Sequence, residues 1–252
     1  MIYHGYRRET VGQKAAEFLW TYKEEHPDRY RLPIDPIDLA EYCGLQVLFD
    51  TVDGEDPMMQ RLAKIIPAKR LIVIDEKAYA KNKGQGHFSI GHEIGHWQLY
   101  LRKEANDVQC PLFTMTDDEA AQAGFYRTRH GMAFPTLPSL RQLSHSALGK
   151  LSEFFRGFDT PAVETAVNRF AAAILMPADL VYELADSMNI RGAEEADLPQ
   201  LVRSCAERCE VSNQAMGFRL KDLEIVYCEV LADGRQSFSH RNPKERVQLS
   251  IL

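Results

Sequence analysis

The sequence lacks the features that mark a membrane or secreted protein. Its longest unbroken apolar run is Phe170 to Met176, far short of the roughly 20 residues that a spanning helix needs. The first residues, Met1-Ile-Tyr-His-Gly-Tyr-Arg-Arg-Glu, have no apolar stretch like that of a signal peptide. Only 5 cysteines occur, at positions 43, 110, 205, 209 and 228, and no CxxC pair is among them. A disulfide framework is therefore not expected, and a cytoplasmic location fits the composition. An excess of positive charge is missing too. With 30 Lys and Arg against 36 Asp and Glu, the formal charge is −6, which disfavours a protein that coats nucleic acid. No internal repeat or low-complexity tract interrupts the chain. What remains is 45% hydrophobic and 26% charged over 252 residues. That is the balance of a globular protein long enough for one large domain or two small ones.

Periodicity lays out the elements. Thr10 to about Glu25 reads as a helix, with Val11, Ala15, Phe18, Leu19 and Tyr22 on one stripe. A short helix follows, with Asp35 as N-cap, Pro36 at the first helical position and Gly44 at its end. Leu45 to Phe49 and the β-branched run Arg70 to Asp75 read as strands. His87 to about Leu101 reads as a helix whose Ile90, Ile94, Trp97 and Leu101 face a core. Residues 102–160, broken by Pro and Gly, read as an insertion with a helix over Leu140 to Phe155. Pro161 to Met176 is a strong helix stopped by Pro177. Two helices near Leu198 to Cys209 and Ser212 to Leu223 have helix-turn-helix character, and Glu224 to Val230 reads as a strand before a polar tail.

The sharpest feature is His92-Glu93-Ile94-Gly95-His96, an HExxH sequence inside an expected helix. Spacing of four puts both imidazoles on one helical face, so both can reach one Zn²⁺. Glu93 stands beside them as the candidate general base for attack by water. From this composition, about 0.02 such motifs would arise by chance. Gly91 and Gly95 leave room for another element to approach closely, and Leu71 to Ile74 could serve as a sheet edge for an extended peptide. A catalytic zinc takes a third protein ligand. Glu164 is the leading candidate, one turn before Asn168, which could fix a ligand histidine by a hydrogen bond. Read on position alone, Glu164 is a solvated helix residue.

Four stretches resemble the ImmA/IrrE metallopeptidases. They are Leu32 to Gly44 with the strand after it, Gly86 to Trp97 with the HExxH sequence, Glu164 to Pro177 against that family's ExxANxFAxxLLMP helix, and Val211 to Leu223 against its VSxxAMxxRLxxL segment. Val167 stands where the family motif has Ala, and the distance from His96 to Glu164 is longer than in the family. The resemblance implies zinc on His92, His96 and Glu164, with Glu93 as the base. It implies an α+β gluzincin-like fold, mainly helical with a small antiparallel sheet, the metallopeptidase domain over residues 1–180 and a helix-turn-helix-like region and tail over 181–252. It also implies a protein substrate, a repressor of the XRE type encoded nearby, whose cleavage would release stress, prophage or defence genes.

Other readings stay open. Glu119 lies closer to the motif and competes for the third ligand place. Cys110 is a candidate regulatory zinc ligand that would occupy the fourth position at rest. His87, His130, His145 and Tyr126 are candidates for substrate binding or oxyanion stabilisation. Cys205 and Cys209, one turn apart, fit helix packing better than a second metal. Arg203, Arg208, Arg219 and Lys221 give the C-terminal helices some positive charge, but Glu207, Glu210, Asp222 and Glu224 among them favour packing against the catalytic domain or docking of a protein substrate over DNA binding; nucleic acid remains a candidate regulator. The rival functions are a sensor or scaffold with structural zinc that binds DNA or a partner, and a toxin or defence protease with another target.

Overall fold

The computed structural model describes residues 6–51, 61–102, 125–128, 131–133 and 161–241. Helix α1, Arg8–Glu25, buries the stripe Val11, Ala15, Phe18, Leu19 and Tyr22, the repeat that a single helical face requires. In α2, Pro36–Tyr42, the Asp35 carboxylate accepts a hydrogen bond from the Ile37 amide at 2.8 Å and Pro36 opens the helix. Gly44 follows in the left-handed region at φ 73°, a conformation that glycine adopts without steric cost.

Strands β1 (Gln46–Asp50), β2 (Arg61–Ile66) and β3 (Leu71–Asp75) come next, and β4 (Phe125–Thr128) and β5 (Gly131–Ala133) complete one sheet in the order β1-β3-β2-β4-β5. Strand β1 pairs parallel with β3, and the other pairings are antiparallel. The sheet is therefore mixed rather than purely antiparallel. Strand β3 lies inside it, between β1 and β2, so Leu71 to Ile74 offer no free edge to a peptide. Strand β2, unread in the sequence, occupies the side that the expectation left open. Alternation decides the faces: Ala63, Ile65, Ile72 and Ile74 join the main core, while Leu62, Ile66 and Val73 are buried outside it.

Asp75 ends β3 and caps α3, Glu76–Lys81, accepting from the Ala78 amide at 2.7 Å. Asn82 ends α3 and caps α4, Lys83–His96, in the same manner. These caps turn the chain sharply twice and lay α4 against β2 and β3. The helix begins four residues before the expected His87, and it gives way to a wider π turn over Trp97–Leu101. Such turns concentrate at functional sites.

After the 102–160 region, α5 (Pro161–Leu175) packs against both α1 and α4. Helix α6 (Ala178–Ser187), unread in the sequence, precedes α7 (Leu198–Arg208) and α8 (Asn213–Asp222). Ser212 caps α8 by accepting from the Ala215 amide at 3.1 Å. Strand β6 (Tyr227–Val230) lies within the expected Glu224 to Val230 strand, and β7 (Gln236–Ser239) pairs antiparallel with it where only a polar tail was expected. One cluster of buried apolar residues runs from Val11 to Val226 and joins the sheet to the helices. Full burial of a side chain such as Ile94 or Phe170 contributes about 1.5–3 kcal/mol each. Among the described residues, no helix is long and apolar enough to cross a membrane.

Candidate metal centre

Helix α4 is buried almost all round. His92 is 1% exposed, and Glu93 and His96 are 0% exposed. Buried ionisable groups need partners, because transfer of an uncompensated charge from water is costly. The partners come from α5, which runs antiparallel to α4 at very close range. A Cβ on Gly91 would lie 2.8 Å from Leu175 Cδ1, and one on Gly95 would lie 3.0 Å from Val167 Cγ1 and 3.1 Å from its carbonyl oxygen. These two glycines set the helix separation, and that separation brings Glu164 and Asn168 to the imidazoles.

His92 Nε2 and His96 Nε2 are 3.0 Å apart. Glu164 presents Oε2 at 3.4 Å to His92 Nε2 and Oε1 at 3.3 Å to His96 Nε2. Behind His92, Nδ1 lies 3.0 Å from Asn168 Oδ1. A carbonyl oxygen only accepts, so His92 Nδ1–H donates, and in the neutral ring Nε2 keeps a lone pair facing the carboxylate. The donor set is two imidazole nitrogens and one carboxylate, its atoms all within 4.8 Å of one another. Tetrahedral ligands at about 2.0–2.1 Å from zinc are separated by about 3.3–3.4 Å. The nitrogen–oxygen spacings of 3.4 and 3.3 Å, to the two carboxylate oxygens, fall at that value and the nitrogen–nitrogen spacing of 3.0 Å is shorter, so the group could hold a metal ion. Burial acts to raise the Glu164 carboxyl. When His92 and His96 are protonated, their hydrogen bonds and charges outweigh it and hold the group well below the usual carboxylate range.

The remaining sequence candidates fall elsewhere. His87 is buried one and a half turns before His92. Its Nε2 is 3.0 Å from the Tyr79 hydroxyl and its Nδ1 is 3.7 Å from Glu210 Oε2. Burial lowers its pKa below the ordinary histidine value, more than Glu210 raises it. Tyr126 lies on β4, in register with Lys64 of β2. Cys110, Glu119, His130, His145 and the expected helix over Leu140 to Phe155 lie outside the described residues. Cys205 and Cys209 are buried, and desolvation pushes their thiols up to about 11 and about 12. Neither belongs to a metal-binding group among the described residues. In the C-terminal helices, Arg219 Nε donates to the Met176 carbonyl and Lys221 Nζ to that of Cys228, both at 2.8 Å. Those two cations are committed to the fold.

One residue near the centre was not singled out in the sequence. Tyr100 is 5% exposed in the π turn, its ring 5.5 Å from that of Tyr6. Burial, then Tyr6, then the Glu164 carboxylate raise its hydroxyl well above the ordinary tyrosine value. Its spacing of four from His96 was the available signal. No family model and no curated protein matches the chain.

Proposed function

We propose that this chain is a zinc-dependent endopeptidase of gluzincin-like architecture. One observation carries the reading: two buried imidazoles of an HExxH helix and the carboxylate of a second helix converge at separations suited to one tetrahedral ion. His92, His96 and Glu164 would hold the metal. Bound there, zinc supplies Lewis acidity toward a scissile carbonyl and makes water more acidic.

The chain's own residues do the rest. Glu93, buried beside His92, takes the proton of the attacking water and passes it to the leaving amine. Asn168 holds His92 in the tautomer that turns Nε2 toward the ligand site. Glu164 offers a carboxylate oxygen to the same point as the two imidazole nitrogens. The substrate is a transcriptional repressor of the XRE type, cleaved once at a specific bond. Support for that substrate rests on the sequence resemblance alone.

The test joins metal content with proteolysis. Elemental analysis of the purified chain should return stoichiometric zinc, retained in Glu93→Gln and lost in Glu164→Ala. Co-expression with the neighbouring reading frame, followed by mass spectrometry, should give a defined cleavage that Glu93→Gln abolishes. Metal-free protein, or fragments that persist with Glu93→Gln, would overturn the mechanism. A centre closed by a fourth protein ligand would make the zinc structural.

A further inference from the structure

A groove of about 810 Å³ lies where the start of α4, the face of α5 and the whole of α8 meet. It is separate from the ligand side of the imidazoles, but Asn168 lines it and connects it to His92. Its charge runs against that of the chain. The formal total is −6, yet Arg169, Arg219 and Lys221 line this groove with Asp222 as their one acidic neighbour. Asp222 is already paired to Arg8 at 3.4 Å. The Arg219 and Lys221 hydrogen bonds go to neutral carbonyls, while Asp222 acts on Arg219 and the Tyr227 ring lies 4.9 Å from the Lys221 ammonium. Arg169, half-buried in the wall, has no hydrogen-bond or ion-pair partner among the described residues.

The rest of the lining is suited to a peptide. Phe218, 42% exposed, and Phe88 supply apolar surface. The Gln85 and Gln214 amides, and the Asn168 amide nitrogen, supply hydrogen-bonding groups of the kind that pair with a peptide backbone. We infer that this groove binds an acidic segment of a protein partner, with Arg169 as its charge anchor and Phe218 packing an apolar side chain. The bidentate geometry of a guanidinium suits a carboxylate. This site stands whether or not the metal centre hydrolyses peptides, and an occupant that accepts from the Asn168 amide lies one side chain from His92.

The test is fluorescence anisotropy on the full chain with a short fluorescein-labelled peptide of Glu and Phe. A matched Lys and Phe peptide and an oligothymidylate serve as comparisons. The Glu and Phe peptide should bind in a salt-sensitive manner. Arg169→Glu should weaken binding by about tenfold or more. Arg169→Lys should weaken it less, and Phe218→Ala should weaken it without altering its salt dependence. Arg29→Glu, at the Asp38 ion pair away from the groove, should leave binding unchanged. Melting curves check that each variant folds, and Arg169→Lys with the salt series carries the test if Arg169→Glu does not. Absence of peptide binding, or binding indifferent to both Arg169 variants, overturns the inference. Tighter binding of oligothymidylate at the same residues also overturns it, in favour of single-stranded nucleic acid.

Discussion

His92 and Asn168 meet across 76 positions of chain, the imidazole Nδ1 donating to the amide oxygen at 3.0 Å. The bond joins the two helices that carry the candidate metal ligands and decides which nitrogen of His92 is left free to bind an ion. Asn168→Ala should therefore lower metal affinity by about 10–100-fold while all three ligands remain in place. Competition with a fluorescent zinc chelator would measure this, and unchanged affinity would show that His92 needs no support from α5.

The same substitution should have opposite effects at two glycines. A Cβ on Gly84 would lie 2.9 Å from the Val211 carbonyl carbon and 3.2 Å from the Ser212 nitrogen, both backbone atoms of the turn between α7 and α8. Gly84→Ala should destabilise by about 1–3 kcal/mol. A Cβ on Gly12, within α1, would meet nothing within 4 Å. Gly12→Ala should stabilise by about 0.5–1 kcal/mol through helix propensity alone. Paired denaturant melts would read both signs.

Acid should act at Asp179. Burial tends to raise its carboxyl, but hydrogen bonds from the Tyr30 hydroxyl at 2.7 Å and Lys23 at 3.2 Å prevail and lower it from 3.8. A depressed carboxyl stabilises the fold above its unfolded value, and the gain is lost as pH falls from there through the folded value. The pair is half exposed, so Asp179→Asn should cost under about 1 kcal/mol at neutral pH. The gap to the parent protein should close below pH 3.8. A difference that persists in strong acid would mean that packing, and not charge, sets it.

The half-buried Cys43 and the buried Cys205 and Cys209 should be inert in the native state. Desolvation pushes Cys43 up to about 12, against smaller lowering by the Gln98 hydrogen bond and Arg102, while Cys205 and Cys209 rise to about 11 and about 12. Thiolate is the reactive form. Iodoacetamide at pH near 8 should therefore label these three only after unfolding, as peptide mapping would show. Rapid labelling of native Cys209 would place it in a more open setting.

Local signals in the sequence carried much of this architecture. Asp35 and Ser212 cap the helices that their positions foretold, and Gly44 ends one with positive φ. Spacing put His92 and His96 on one face, and Glu164 and Asn168 on another. The sheet was harder to read, because strand order depends on pairings between distant segments. Arg61–Ile66 alternates poorly, with Ile65 and Ile66 both buried, on opposite faces. With that strand missed, Leu71 to Ile74 looked like an edge. The π turn was equally hidden, since the apolar spacing through Trp97 and Leu101 suits an ordinary helix almost as well. The groove beside α8 joins residues from three separate segments, so no short motif announces it.

Gly91 against Leu175 and Gly95 against Val167 make α4 and α5 two rods in almost bare contact. Sliding one along the other by a single turn, about 5.4 Å, would carry the Glu164 oxygens beyond reach of both rings. Ion capture at the proposed centre would thus gauge the alignment of these rods to a fraction of a turn. Wedging the crossing apart with a larger side chain at position 95 should first appear as lost zinc, at a time when circular dichroism still records intact helices.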